Sequence, residues 1–354
     1  MIVASRPDGL GTRLLTFAYA RCLAEILNQE LIVLWPSLED NNYNKNILRS
    51  DSFMKIFESD DVFIDEKFGH RRSDVSGSNI ISINNSREML SSLTLEEAVE
   101  KLTSYDYVFY DVPFPLYFSN YSMNDFSARL ADLWNMFNFK KEIKYKMGEF
   151  CRENNIVNAT AIHVRRGDVE KIIINSSLDF LKERGITQIF QRYIPLKSIF
   201  SSIESLPSAV SNVLVCSEDL SIVGMLKEKY PDIKFCSTSS IYDPQTDEGS
   251  LADLIALASV KKIICPFKSF YSECAATFGG AEMIRKFDVI ALSEEIIPII
   301  NSSDVGDKHH RRALVYATAW SNLWNAVGSP ERAKIYHLAK KEDSYFVDDI
   351  LQRK

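Results

Sequence analysis

Thr160-Ala161-Ile162-His163-Val164-Arg165-Arg166-Gly167-Asp168 is an apolar strand that ends abruptly in two arginines, a glycine and an aspartate. Downstream of it, apolar runs alternate with segments of helical spacing. The pattern predicts a helix near Ile189–Ile203, a strand at Asn212–Cys216, a helix at Leu220–Tyr230 and a strand at Ile233–Cys236. It continues with a helix at Ser250–Ser259, a strand at Lys262–Cys265, a helix at Tyr271–Gly279 and a strand at Val289–Leu292. Strands alternating with helices imply a parallel, doubly wound sheet.

The N-terminal part carries a similar unit. Ile2–Ser5 is apolar, Leu14–Leu27 has helical spacing, and Leu31–Trp35 is a second apolar run that ends at Pro36. The connection Arg6-Pro7-Asp8-Gly9-Leu10-Gly11-Thr12-Arg13 reads as a glycine-bearing turn onto a helix N-terminus, where backbone N–H groups and the helix dipole favour an anion. Weaker strands follow at Val62–Ile64 and Ile80–Ile83, then a helix at Leu95–Leu102, a strand at Tyr107–Val112, and two helices within residues 125–155. After a polar break at Asn301–Lys308, two or three helices carry Trp320, Trp324 and Tyr336. The expected architecture is α/β: residues 1–155 and 156–300 as two Rossmann-like domains facing a cleft, and 301–354 as a C-terminal helical tail. In such folds the cleft lies at the carboxyl ends of the strands.

The chain has 354 residues, 46% hydrophobic and 25% charged, which suits two globular domains and argues against disorder, collagen or coiled coil. A net charge of −7 argues against a protein that coats nucleic acid or an anionic membrane, and directs attention to a small-molecule site. Cys22, Cys151, Cys216, Cys236, Cys265 and Cys274 form no C-x-x-C pair and read as free thiols of a reducing compartment. The N-terminus shows no signal-peptide pattern, and no run approaches 18 apolar residues, so a cytoplasmic protein with at most peripheral membrane contact is expected. The N-x-S/T triplets at Asn120, Asn158 and Asn175 are then chance matches.

Arg165 and Arg166 at a strand end offer planar donor forks that suit a phosphate, or they form surface salt bridges. Asp253, among apolar residues of helical spacing, faces a polar cleft or is a satisfied carboxylate. Ser269, at a strand-to-helix turn, caps the following helix or shares a turn whose N–H groups bind phosphate.

Taken together, these stretches resemble the GDP-fucose-dependent fucosyltransferases of the α1,6 type, which include the rhizobial nodulation enzyme. The α1,2 and protein O-fucosyltransferases are more distant relatives. Gly9-Leu10-Gly11-Thr12-Arg13 looks like the N-terminal glycine-rich loop of that group, and His163 to Asp168 is similar to its histidine-x-arginine-arginine motif. A third piece runs from Val213 through Glu218-Asp219, Lys229-Tyr230-Pro231 and Asp253 to Ser269. The resemblance is specific over 159–280, thin over 41–155 and absent after 301.

The resemblance implies that Arg165 holds the β-phosphate with Arg166 assisting, and that His163 contacts the nucleotide. Asp253 would bind the nucleoside, and Ser269, with the adjoining Phe270, the diphosphate. Gly9, Gly11, Thr12 and Arg13 would form the first donor loop, and Glu218 and Asp219 a further donor contact. Thr12 departs from the asparagine or cysteine common in the group. The carboxylate proposed as acceptor base there aligns near the apolar Ile172–Ile174, leaving Glu170 and Asp168 as the nearest replacements.

No two aspartates are separated by a single residue, so the clamp that holds a divalent cation on a nucleotide sugar is missing and no metal or other cofactor is expected. His309-His310 reads as a solvated helix start rather than a metal site. Gly9-x-Gly11 lacks both the third glycine of a dinucleotide fingerprint and the Gly-Lys-Ser/Thr of a triphosphate loop, and no serine lies in a G-x-S-x-G elbow. Tyr316, Trp320, Trp324 and Tyr336 form either a sugar-stacking face or core.

The expected function is therefore a GT-B-like, inverting, metal-independent transferase that moves L-fucose from GDP-fucose to a glycan acceptor in polysaccharide or oligosaccharide synthesis. Two alternatives are another nucleotide-sugar donor and a non-catalytic nucleotide- or glycan-binding module. The tail could cap the sheet, reach across the cleft or mediate a homodimer.

Overall fold

The computed structural model describes residues 1–6, 8–34, 55–58, 78–121, 129–130, 132–135, 137–183, 190–207, 210, 212–322 and 330–342. The expected strand at Val62–Ile64, the stretch Trp35–Leu38 and Trp324 lie outside the described residues. The architecture is α/β, with two separate sheets and C-terminal helices.

The first sheet consists of β1 (Ile2–Ser5), β2 (Leu31–Leu34), β3 (Ile80–Ser82) and β4 (Tyr107–Tyr110), in the order β2-β1-β4-β3. All its pairings are parallel, with Val3 opposite both Ile32 and Phe109. Ile2, Val3, Val108 and Tyr110 are completely buried, which explains why these strands read as unbroken apolar runs.

Helix α1 (Leu10–Leu27) begins one turn earlier than its apolar spacing predicts. Gly9 is its N-cap, and the Arg13 N–H donates to the Gly9 carbonyl at 3.1 Å. Gly11, Thr12 and Arg13 are therefore helical rather than part of a loop. Two glycines in one turn lower helix propensity, and this hid the start. Asn28, in the left-handed conformation at φ 48°, ends the helix. The expected strand at Ile80–Ile83 stops at Ser82, whose hydroxyl accepts from the Asn85 N–H and caps α2 (Ile83–Ser91). Helix α3 (Leu95–Thr103) starts at a capping box between Thr94 and Glu97, and α4 (Lys141–Glu153) follows.

The second sheet consists of β5 (Thr160–Val164), β6 (Asn212–Ser217), β7 (Lys234–Cys236), β8 (Lys262–Pro266) and β9 (Glu282–Lys286), in the order β7-β6-β5-β8-β9. Its connections carry α5 (Gly167–Asn175), α6 (Leu178–Glu183), α7 (Leu196–Glu204), α8 (Ser221–Lys229), α9 (Asp247–Ala258) and α10 (Phe270–Gly279). Beyond it lie α11 (Val289–Ser302), α12 (Lys308–Asn322) and α13 (Pro330–Glu342). The strand expected at Val289–Leu292 is the first turn of α11, and the fifth strand is Glu282–Lys286. Asp288 causes this outcome: its carboxylate accepts from the N–H groups of Ile290 and Ala291 and so starts a helix. β9 carries no apolar strand signal because three of its five residues are charged, as suits the edge of a sheet.

The chain divides into two compact units that interleave in sequence: Met1–Thr160 with Cys236–Ile263 and Phe270–Met283, and Ala161–Phe235 with Ile264–Ser269 and Ile284–Lys354. In the first unit α10 packs on both α1 and α9, and α9 packs on α4. Gly11 lets α1 come close to the start of α10, since a Cβ there would lie 2.6 Å from the Tyr271 Cα and 2.8 Å from the Phe270 carbonyl oxygen.

In the second unit one core cluster gathers Ile162, Val164, Val213, Val215 and Ile264 from the strands with Ile199, Ile203 and Leu226 from α7 and α8. Another joins Val169 and Ile173 of α5 to Leu292 and Ile296 of α11 and to Leu314 and Ala317 of α12. The C-terminal helices are thus part of this unit's core. Buried Arg311 fixes them: it donates to the Ile173 carbonyl, to the Ser176 carbonyl at 2.9 Å and to Asp307 at 2.6 Å, satisfying orphan carbonyls at the end of α5. Replacing it, as in Arg311→Met, should cost about 2–3 kcal/mol in urea unfolding, because two buried carbonyls and a carboxylate lose their donor. Burial pushes the Asp307 carboxyl up, but the hydrogen bond and charge of Arg311 outweigh this and hold it below the usual 3.8. Its folded pKa is depressed, so this contribution is complete above about pH 4 and declines as pH falls further.

Candidate functional site

In the second sheet the chain runs from β5 outward through β6 to β7, then crosses to the other side of β5 for β8 and β9. The order reverses between β5 and β8, and the crevice at the carboxyl ends of two such strands is where open α/β sheets hold ligands. Some of the residues singled out in the sequence fall at this point. His163, Arg165 and Arg166 occupy the end of β5, and Phe267, Lys268 and Ser269 follow β8. The two ends meet where Ser269 Oγ lies 3.3 Å from His163 Nδ1. The turn after β8 is pinned on both sides: the Lys268 N–H donates to the Gln191 carbonyl at 2.7 Å, and Arg285 donates to the Phe267 carbonyl at 3.1 Å. Ser269 is buried, and Arg165, two residues beyond His163 at the same strand end, is half-buried.

Arg166 is held differently. Its Nη1 donates to Glu295 Oε2 of α11 at 2.7 Å, its Nη2 lies 3.5 Å from Glu170 Oε1, and its guanidinium stacks 4.8 Å from the centre of the Tyr193 ring. The Tyr193 hydroxyl donates to both carboxylates, each at 3.1 Å, and the Lys197 N–H donates to the other Glu295 oxygen at 3.4 Å. Burial pushes the Tyr193 phenol far above its ordinary value, so it stays a donor. Glu170 is therefore engaged by Arg166 and Tyr193. Asp168 lies in the first turn of α5.

At the end of β6, Asp219 lies one residue before Leu220, the N-cap of α8, and its Oδ1 accepts from the Ser221 hydroxyl at 2.6 Å and from the Ser221 N–H at 3.0 Å. Glu218 beside it is exposed.

Gly9, Gly11, Thr12, Arg13, Asp253 and Phe270 belong to the first unit. Arg13 is 3% exposed and donates through Nε to the Asp8 carbonyl at 2.6 Å. Burial pulls its guanidinium down to about 9 against the opposing charges of Asp8 and Asp247. Thr12 is buried, and Asp253 is buried and accepts a hydrogen bond from the Thr238 hydroxyl. The Phe270 ring packs against Phe114 at 5.3 Å. Gly11 is used for the close approach of α1 to the start of α10.

Tyr193 and Glu295 were not found from sequence. A carboxylate 129 residues from its arginine partner leaves no local signal. Trp320 and Tyr336, with ring centres 5.6 Å apart, pack α12 against α13, and Trp320 belongs to a cluster with Val289 and Ile335, so both sit in a helix–helix contact. Among the described residues no group of three or more His, Cys, Asp or Glu could hold a metal ion, and no helix is long and apolar enough to cross a membrane. None of the six cysteines forms a disulfide, and all but Cys151 are buried.

No protein-family model and no curated protein sequence matches the chain. Among solved structures, it is similar to the fucosyltransferase NodZ from Bradyrhizobium, with 14% identity over 77% of this chain and 91% of that one, and a TM-score of 0.45. It is also similar to POFUT1 in complex with GDP-fucose, with 10% identity over 78% and 93% of the chains and a TM-score of 0.45. A variant of Arabidopsis thaliana FUT1 in complex with GDP gives 13% identity over 80% and 70%, with a TM-score of 0.43.

Proposed function

We propose that the chain is a glycosyltransferase that takes L-fucose from GDP-fucose and transfers it, with inversion and without a metal ion, to a hydroxyl of a glycan acceptor. The observation that carries this reading is the meeting of His163 and Ser269 at the β5/β8 reversal point, with Arg165 on the same strand end. The motif through these residues is the one that resembles the fucosyltransferases.

Charge grows on the leaving diphosphate oxygen as the glycosidic bond breaks. A guanidinium placed there stabilises the transition state more than the ground state, which is the condition for a faster reaction. Arg165 takes this role, Ser269 donates to the same diphosphate, and His163 contacts the nucleotide. The acceptor oxygen bonds to the anomeric carbon as GDP departs, and its proton passes to a carboxylate. Glu170 is occupied by Arg166 and Tyr193, so the role is assigned to Asp168. The first unit is assigned to the choice of acceptor.

The test is GDP release from GDP-fucose in the presence of EDTA, with UDP- and CMP-sugars as competing donors. Release specific to GDP-fucose and unchanged by EDTA is expected. Absence of both donor binding and hydrolysis would remove the fucose assignment, and a rate abolished by EDTA would remove metal independence.

A further inference from the structure

We infer that Glu295, on α11, is a positioning residue for the diphosphate site and acts through Arg166. The inference rests on the proposed function and adds residues that carry no ligand contact of their own.

Arg165 and Arg166 are adjacent at the point where β5 gives way to α5, so fixing one side chain fixes the peptide from which the other projects. Arg166 is immobilised on every side. Glu295 Oε2 accepts at 2.7 Å, Glu170 lies on its other terminal nitrogen, and the Tyr193 ring covers its face at 4.8 Å. Its side chain is only 11% exposed, against 19% for Glu295, so the pair is shielded from solvent screening. The Tyr193 hydroxyl bridges the two carboxylates, and the Lys197 N–H holds the second oxygen of Glu295, so the carboxylate that grips Arg166 is itself oriented.

Two carboxylates around one guanidinium leave no surplus positive charge on Arg166. The cluster behind Arg166 thus sets the peptide from which Arg165 projects toward the diphosphate. A lysine could not replace Arg166, because a point charge cannot bridge Glu295 and Glu170 while stacking on a ring.

The experiment is a double-mutant cycle between Glu295→Gln and Arg166→Ala, read as the Kd of GDP and of GMP by calorimetry, with Tm followed in parallel. GMP lacks the β-phosphate assigned to Arg165. A positioning role therefore predicts that Glu295→Gln weakens GDP roughly tenfold while GMP changes less than about twofold. Adding Glu295→Gln to Arg166→Ala should weaken GDP by less than about twofold more. Tyr193→Phe keeps the ring and removes the bridge, and should give the same GDP-selective loss to a smaller degree if Arg166→Ala does not fold. Equal weakening of GDP and GMP, no change in either, or additive effects in the double variant would overturn the inference while leaving the functional reading in place. A parent protein that does not bind GDP would overturn the functional reading, and this inference with it.

Discussion

Arg165→Ala should lower GDP release from GDP-fucose by about 10²–10³-fold, the loss typical when one preorganised donor to a developing oxyanion is removed. The size of the effect follows from its position. The side chain stands half-buried at the end of β5, where the sheet order reverses, and its neighbour Arg166 is committed to Glu295 and Glu170. No second arginine of the motif is available to take over. Arg165→Lys keeps the charge but loses the planar fork, so it should recover no more than about tenfold of the loss. Activity of Arg165→Ala within about threefold of the parent would place the diphosphate elsewhere.

The second large effect concerns stability and has a sign that two simple arguments dispute. Gly11 and Gly148 both lie inside helices, and helix propensity alone says that alanine should stabilise each by roughly 0.5–1 kcal/mol. Packing separates them. A Cβ on Gly148 meets nothing within 4 Å, whereas one on Gly11 would stand 2.6 Å from the Tyr271 Cα and 2.8 Å from the Phe270 carbonyl. Both neighbours of Gly11 are backbone, so no rotamer change relieves the contact, and α1 must move away from α10. Gly148→Ala should therefore gain about 0.5–1 kcal/mol, while Gly11→Ala should lose about 1–3 kcal/mol despite its better propensity. Chemical denaturation of the two variants decides the matter, and stabilisation by Gly11→Ala would mean that the helices do not approach so closely.

Gly11 also shows what the sequence could and could not convey. A glycine before a helix can serve an anion, a tight turn or a close helix contact, and the local sequence is the same in each case. The contact partner lies at residues 270–271, far along the chain. The second sheet was legible because its central strands are buried on both faces and separated by periodic helices. β9 carries no apolar strand pattern because an edge strand can be charged, and the helix start at Asp288 is masked by the apolar run Val289–Leu292 after it. At the site, His163, Arg165 and Ser269 were found because each ends a strand or begins a helix, positions that leave a local mark. The cluster behind them was not, since Glu295 and Tyr193 gain meaning only from where α11 and the turn before α7 pack. Glu170 shows the same limit: the resemblance to the fucosyltransferases points to a carboxylate near it, whereas its contacts with Arg166 and Tyr193 leave no mark in the local sequence.

The most direct test of the central claim is a crystal structure of the chain with GDP. The diphosphate is expected in the crevice between the ends of β5 and β8, with the Arg165 guanidinium and the Ser269 hydroxyl within hydrogen-bond distance of its oxygens and Arg166 still on Glu295. A diphosphate bound by other residues, with the β5/β8 crevice empty, would contradict the account.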